Sequence, residues 1–139
     1  ILSSAASDVY KRQALVKDLP AQTSLSYGRL HTLERPSRIG IISAGYGDAI
    51  PLHCGNQASA LIRGKIYPIV GRVTMDQTLI DLTDGPDDLA NGEIVTLIGQ
   101  QNDSSIPLED LALHGKTIPW ELLCSITKRV PRIYLTKRE

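Results

Sequence analysis

The feature that most constrains this chain is its succession of short apolar, β-branched runs cut off by Gly, Pro, Asn and Asp. None is long enough to form one face of a stable helix, and each is bounded by turn chemistry, which is the signature of strands. Residues 14–16 (ALV) are halted by Asp18 and Pro20, and residues 37–43 (SRIGIIS) by Gly45 and Gly47. Residues 59–62 and 66–70 flank Arg63-Gly64-Lys65, which predicts a hairpin with glycine at its turn. Residues 78–82 (TLIDL) and 93–98 (EIVTLI) are two further strands, separated by the turn-rich 84–88 (DGPDD) and by Asn91-Gly92. So many closely spaced strands predict a mainly β fold, an antiparallel barrel-like domain or a sandwich.

Helical pattern comes only late. One short helix is expected from a Ser105 cap to Leu113, with Pro107 in its first turn and Gly115 as its stop. A second is expected from Pro119 to about Thr127, capped by Thr117. Residues 130–135 then read as a last edge strand, because Pro131 cannot donate to a ladder. Residues 1–13 share no period with the rest of the chain and are set apart as a tail, an appended or sequence-assembly remnant. The domain is expected over residues 14–139.

The bulk properties narrow the function classes. A chain of 139 residues fits one domain with a real core. Its 15 basic and 15 acidic residues balance, so it has neither the basic face that nucleic acid requires nor a pull toward anionic membranes. No apolar run approaches the ~20 residues of a membrane span, and residues 1–13 lack the apolar core of a signal peptide. Cys54 and Cys124 form no CxxC pair, and His31, His53 and His114 are scattered, so no metal site is expected.

Three pieces carry candidate chemistry: Tyr27 in Ser26-Tyr27-Gly28, Tyr46 in Gly45-Tyr46-Gly47-Asp48, and Gly71-Arg72-Val73-Thr74-Met75-Asp76-Gln77. Each has an ordinary reading. Tyr27 would be a packing residue, with Arg29 on its face if the segment is a strand. The glycines beside Tyr46 would supply positive φ, with Asp48 bonding backbone. Met75 would fill core and Arg72 would pair with Asp76 at the surface. Trp120 would pack in the core. A tyrosine acts as a base only if its hydroxyl titrates far below its usual ~10, which needs nearby positive charge or donors.

Taken together, these motifs resemble the C-terminal domain of alanine racemase. The resemblance runs from Ala14 to Leu135 and includes Pro68-Ile69-Val70, Gly115-Lys116-Thr117-Ile118-Pro119-Trp120-Glu121 and Arg129-Val130-Pro131-Arg132. It implies an isomerase dependent on pyridoxal 5′-phosphate, interconverting L- and D-alanine for the bacterial cell wall. Tyr27 would be the tyrosine base, reaching the cofactor across a homodimer interface. Met75 and Asp76 would face the substrate, with the Met75 amide toward its carboxylate. Tyr46, Arg72 and Ile118 would form the entrance, and Trp120 would stand where a tyrosine usually bonds the cofactor phosphate. The cofactor lysine belongs to an N-terminal (β/α) barrel that has no counterpart here. The chain by itself is therefore expected to be inactive, with the barrel and a second subunit as its partners and the cytoplasm as its location. Three positions depart from the family: Ala49 replaces a usual glycine, Leu52 a frequent arginine, and Trp120 the tyrosine. Racemases of other amino acids share this domain. A non-catalytic β-domain serving binding or dimerisation is the alternative from another class.

Overall fold

A computed structural model describes residues 9–134. Residues 1–8 of the tail, and Leu135 of the expected last strand, lie outside the described residues. The fold is mainly antiparallel β, as the strand spacing predicted. The elements in chain order are β1 (Val9–Leu19), β2 (Ser24–Leu25), β3 (His31–Thr32), β4 (Ser37–Ile42), β5 (Ser59–Ile62), β6 (Lys65–Val70), β7 (Thr78–Asp81), β8 (Ile94–Gln101), β9 (Ser104–Ile106), α1 (Leu108–His114) and α2 (Pro119–Ser125).

The main sheet has the order β1-β4-β7-β6-β5-β8-β9, and β1 also pairs with β8. β1 makes this possible by serving two partners along its length. Its first residues, from Val9 to Arg12, pair with β8, and those from Gln13 onward pair with β4, with a register shift between Gln13 and Leu15. An irregularity of this kind bends a strand and lets it pass from one sheet to another. The result is barrel-like. β2 and β3 form a separate two-stranded ribbon.

The β5–β6 hairpin has a tighter turn than the three residues expected. Arg63 and Gly64 alone connect the strands, at φ 51° and 78°. Positive φ at both central residues matches the twist of the paired strands. β1 begins at Val9, inside the segment that pattern alone set apart.

Side chains alternate into a core that includes Ile42, Ile62, Ile80, Leu97 and Leu122, all essentially inaccessible. Leu25, Leu33, Ile39 and Val70 form a second cluster that seats the β2–β3 ribbon against β4 and β6. Both helices drive apolar residues into the main core, Leu111 and Ala112 from α1 and Leu122 from α2.

Three local expectations are corrected. Ser105 does not cap α1; it lies in β9, and Pro107 takes the cap position. Thr117 does not cap α2 either: its hydroxyl is buried without a partner, and Ile118 occupies the cap. Residues 130–134 are not a strand, because no edge among the described residues pairs with them.

Cys54 is inaccessible, and burial pushes its thiol up to about 12, whereas Cys124 is exposed. A thiol reagent at mildly alkaline pH should therefore modify one cysteine quickly and the other only on unfolding; two equally fast reactions would contradict this core. Ile80→Ala, in the middle of β7, should lower the urea-unfolding free energy by about 2–5 kcal/mol.

Candidate active site

The predicted residues lie on loops and helix ends, held in place by the strands. Tyr27 stands two residues after Leu25, which is anchored in the smaller core cluster. Ser26 has φ 61° and ψ −175°, and Tyr27–Arg29 form a tight turn with φ 72° at Gly28 and 50° at Arg29, not a strand, so Arg29 is not placed by strand alternation. Tyr27 is 69% exposed, which rules out the packing role. Its hydroxyl makes no hydrogen bond among the described residues. The Arg72 guanidinium stands beside this turn, with Nη2 3.9 Å from the point where a β-carbon on Gly28 would lie. Arg72 has no ion-pair partner among the described residues.

Tyr46, Met75 and Asp76 meet in a backbone clasp. The amide of Tyr46 donates to the Thr74 carbonyl and that of Gly47 to the Met75 carbonyl, each at 2.9 Å. Gly45 is glycine because of this approach and not for its φ, which is an extended −148°. A β-carbon there would fall 1.9 Å from the Thr74 oxygen. The positive φ of the segment lies instead at Ala49, with φ 78°. The expectation that Gly45 and Gly47 supply positive φ is thus corrected. The N–H of Met75 makes no backbone hydrogen bond among the described residues.

Charge locks the clasp. Asp48 is buried, and its Oδ2 accepts from the Gly45 amide at 3.1 Å. Arg129 brings Nε to 3.3 Å from Asp48 Oδ1 and Nη2 to 2.5 Å from Asp76 Oδ1. The hydrogen bond that Arg129 donates to Asp76, and then the charge of Asp48, raise the Arg129 guanidinium above its ordinary range. Thr127 adds a hydroxyl bond to the Gly47 carbonyl at 3.0 Å. Arg72 therefore does not pair with Asp76, and Met75, half exposed, does not fill core. Which of the 15 basic residues neutralises Asp48 could not be read from sequence. The only signal was an aspartate in a glycine-rich turn, a setting that needs a partner.

Ile118 and Trp120 sit at the start of α2, both more than half exposed, so the core reading of Trp120 is corrected. Leu52 lines a concavity of about 500 Å³ together with Leu30, Arg72, Leu113 and Lys116. Among the described residues, no acidic one lines it. A larger concavity of about 610 Å³, around Asp18, Pro36, Arg38 and Asp87, contains none of the predicted residues. Its arginine is already bonded to the carbonyl of Asp87 at 2.9 Å. Among the described residues, no group of three or more His, Cys, Asp or Glu is placed to hold a metal ion. None of their helices is long and apolar enough to cross a membrane.

Arg129→Ala would leave the Asp48 carboxylate buried without its cation. It should cost roughly 1–3 kcal/mol of stability, measured by chemical denaturation. Ala49→Gly should do the opposite, raising stability by about 1 kcal/mol through relief of the left-handed backbone.

Comparison with known proteins gives this surface its context. The family model described as "Alanine racemase, C-terminal domain" matches residues 6–134. An alanine racemase of Prochlorococcus marinus is 41% identical over 127 residues, which is 91% of this chain and 33% of that protein. Alanine racemase 2 of Caldanaerobacter subterraneus is 43% identical over 124 residues, 89% of this chain and 32% of that one. The crystal structure of alanine racemase from Bacillus anthracis with bound L-Ala-P superposes with a TM-score of 0.86 at 33% identity, covering 94% of this chain and 33% of that chain. The enzyme from Bartonella henselae with covalently bound pyridoxal phosphate gives 0.85 at 33% identity, covering 92% and 34%. The chain thus spans about a third of the length of the relatives it matches. With near-complete coverage by the family model, the chain belongs to the alanine racemase family, as a C-terminal domain of that family.

Proposed function

We propose that this chain is the C-terminal part of an alanine racemase and that Tyr27 is its proton-exchanging base. The observation that carries the reading is an exposed phenol on a constrained turn, its hydroxyl and the arginine beside it both unpaired among the described residues. A hydroxyl committed to an internal hydrogen bond would be held away from a bound substrate; that of Tyr27 is free of one among the described residues.

The donor set suits the reactive end of an amino acid held on pyridoxal phosphate. Arg72 offers a cation and Met75 an unbonded N–H, both suited to an anionic carboxylate. Trp120 can donate one indole N–H toward phosphate but cannot accept, so the phosphate is held mainly by groups outside this chain. When bound, pyridoxal phosphate supplies the electron sink that makes an α-proton removable. Tyr27 would take the α-proton at its hydroxyl from one face in one direction of the reaction and deliver a proton to that same face in the reverse direction, the other face being served by a group outside this chain. Asp76 is fixed by Arg129, so it holds the substrate-facing loop in place. Tyr46, Arg72 and Ile118 narrow the approach and limit what enters.

The cofactor lysine and the opposite face come from an N-terminal barrel, and Tyr27 acts from a second subunit of a homodimer. The exposed apolar side chains Leu30, Leu52, Leu113, Ile118 and Trp120 fit a surface made to be covered. The cytoplasmic location is part of the same proposal and rests on the family alone. Racemisation of another amino acid is a second reading. It is favoured by Leu52, which with Leu30 and Leu113 gives the concavity an apolar side.

The test joins this chain to a matching barrel and follows L- to D-alanine conversion. Tyr27→Phe should lower turnover by roughly 10²–10⁴-fold, and unchanged turnover would refute the assignment. The same assay with serine and lysine separates the two substrate readings. The 139-residue chain alone, supplied with cofactor, should show no turnover.

A further inference from the structure

We propose that Ser26 and Asn56 are positioning residues that fix where the Tyr27 hydroxyl stands, an inference that rests on the reading of Tyr27 as the base. Ser26 lies at φ 61° and ψ −175°, a region that essentially only glycine populates. Glycine would relax there but could anchor nothing, and alanine would bear the same strain with no bond in return. Serine has a compensation. Its Oγ donates to the carbonyl of Arg72 at 2.6 Å.

The other end of the turn is held by a second side chain. Asn56, itself at φ 59°, accepts the Gly71 amide on Oδ1 at 2.6 Å. Its Nδ2 donates to the Leu30 carbonyl at 3.5 Å. The turn that carries Tyr27 is therefore tied at both ends to Gly71-Arg72: directly through Ser26, and through Asn56 from Leu30. Five residues with φ between 50° and 72° surround this junction: Ser26, Gly28, Arg29, Asn56 and Gly71. Such clustering over-determines one geometry. The consequence is a fixed relation between the backbone that carries Tyr27 and the backbone that carries Arg72, which share a single scaffold. The side-chain bonds of Ser26 and Asn56 run to the backbone of Arg72, Gly71 and Leu30, so both act through Tyr27.

Ser26→Gly tests the proposal in the barrel-joined protein, because it removes the hydroxyl while relieving the backbone, so the variant folds. Its urea midpoint should stay at the wild-type value or rise. Amide hydrogen exchange over residues 27–30 should accelerate. Turnover should fall about 10- to 100-fold at unchanged KM. The primary isotope effect of α-deuterated substrate should grow for the enantiomer whose proton Tyr27 removes, and not for the other. Asn56→Ala should accelerate exchange over the same residues. Wild-type exchange, turnover and isotope effects in Ser26→Gly would overturn the proposal, as would a loss of turnover with both enantiomers' isotope effects unchanged. Tyr27→Phe, run alongside, distinguishes the two ideas. If it retains turnover, the base assignment fails, and exchange over residues 27–30 alone decides the positioning role.

Discussion

The site depends on one strip of backbone. The carbonyls of Arg72, Thr74 and Met75 accept hydrogen bonds from Ser26, Tyr46 and Gly47. Two loops far apart in sequence, one bearing Tyr27 and one bearing Tyr46, are thus sewn to the same short run after β6. A carbonyl cannot be removed by mutation, so the selectable part is the approach to it. Gly45 permits that approach by having no side chain, and Ser26 makes it by supplying a donor.

This strip holds its place because of the packing beneath it and the charges beside it. Beneath, β6 pairs with both β5 and β7, and Val70 joins the cluster that seats the β2–β3 ribbon. The Tyr27 turn and the strip therefore rise from one packed base. Beside it, Arg129 spans Asp48 and Asp76. A buried carboxylate is costly unless paired and hydrogen-bonded. Asp48 has both a cation and a backbone amide, so the C-terminal segment acts as a fastener for the clasp. Among the described residues, the side chains of Tyr27 and Arg72 and the Met75 N–H are left out of this bonding.

Much of the strand pattern was legible. The runs 37–43, 59–62 and 78–82 appear as β4, β5 and β7 within a residue or so, because alternation and turn residues act locally. The elements that were missed share one cause. β2, β3 and β9 are three residues or fewer, too short to show a period. The cap expected at Ser105 failed because that residue pairs with Gln100 in the β8–β9 ladder, and the one at Thr117 because the chain enters α2 through Ile118, one residue later. Glycine in the Tyr46 turn was read as a source of positive φ, yet Gly45 serves closeness between segments 29 residues apart, from 45 to 74.

The sequence by itself determined the β class, the hairpin at Arg63-Gly64 and the three motifs whose likeness pointed to the family, since each depends on residues close together in the chain. Only the tertiary structure decided that Arg129 serves Asp48 and Asp76, that Arg72 stands beside the Tyr27 turn with no ion-pair partner among the described residues, and that Trp120 faces outward. Charge pairing and burial are set by which surfaces meet in space. Distance along the chain carries no information about that.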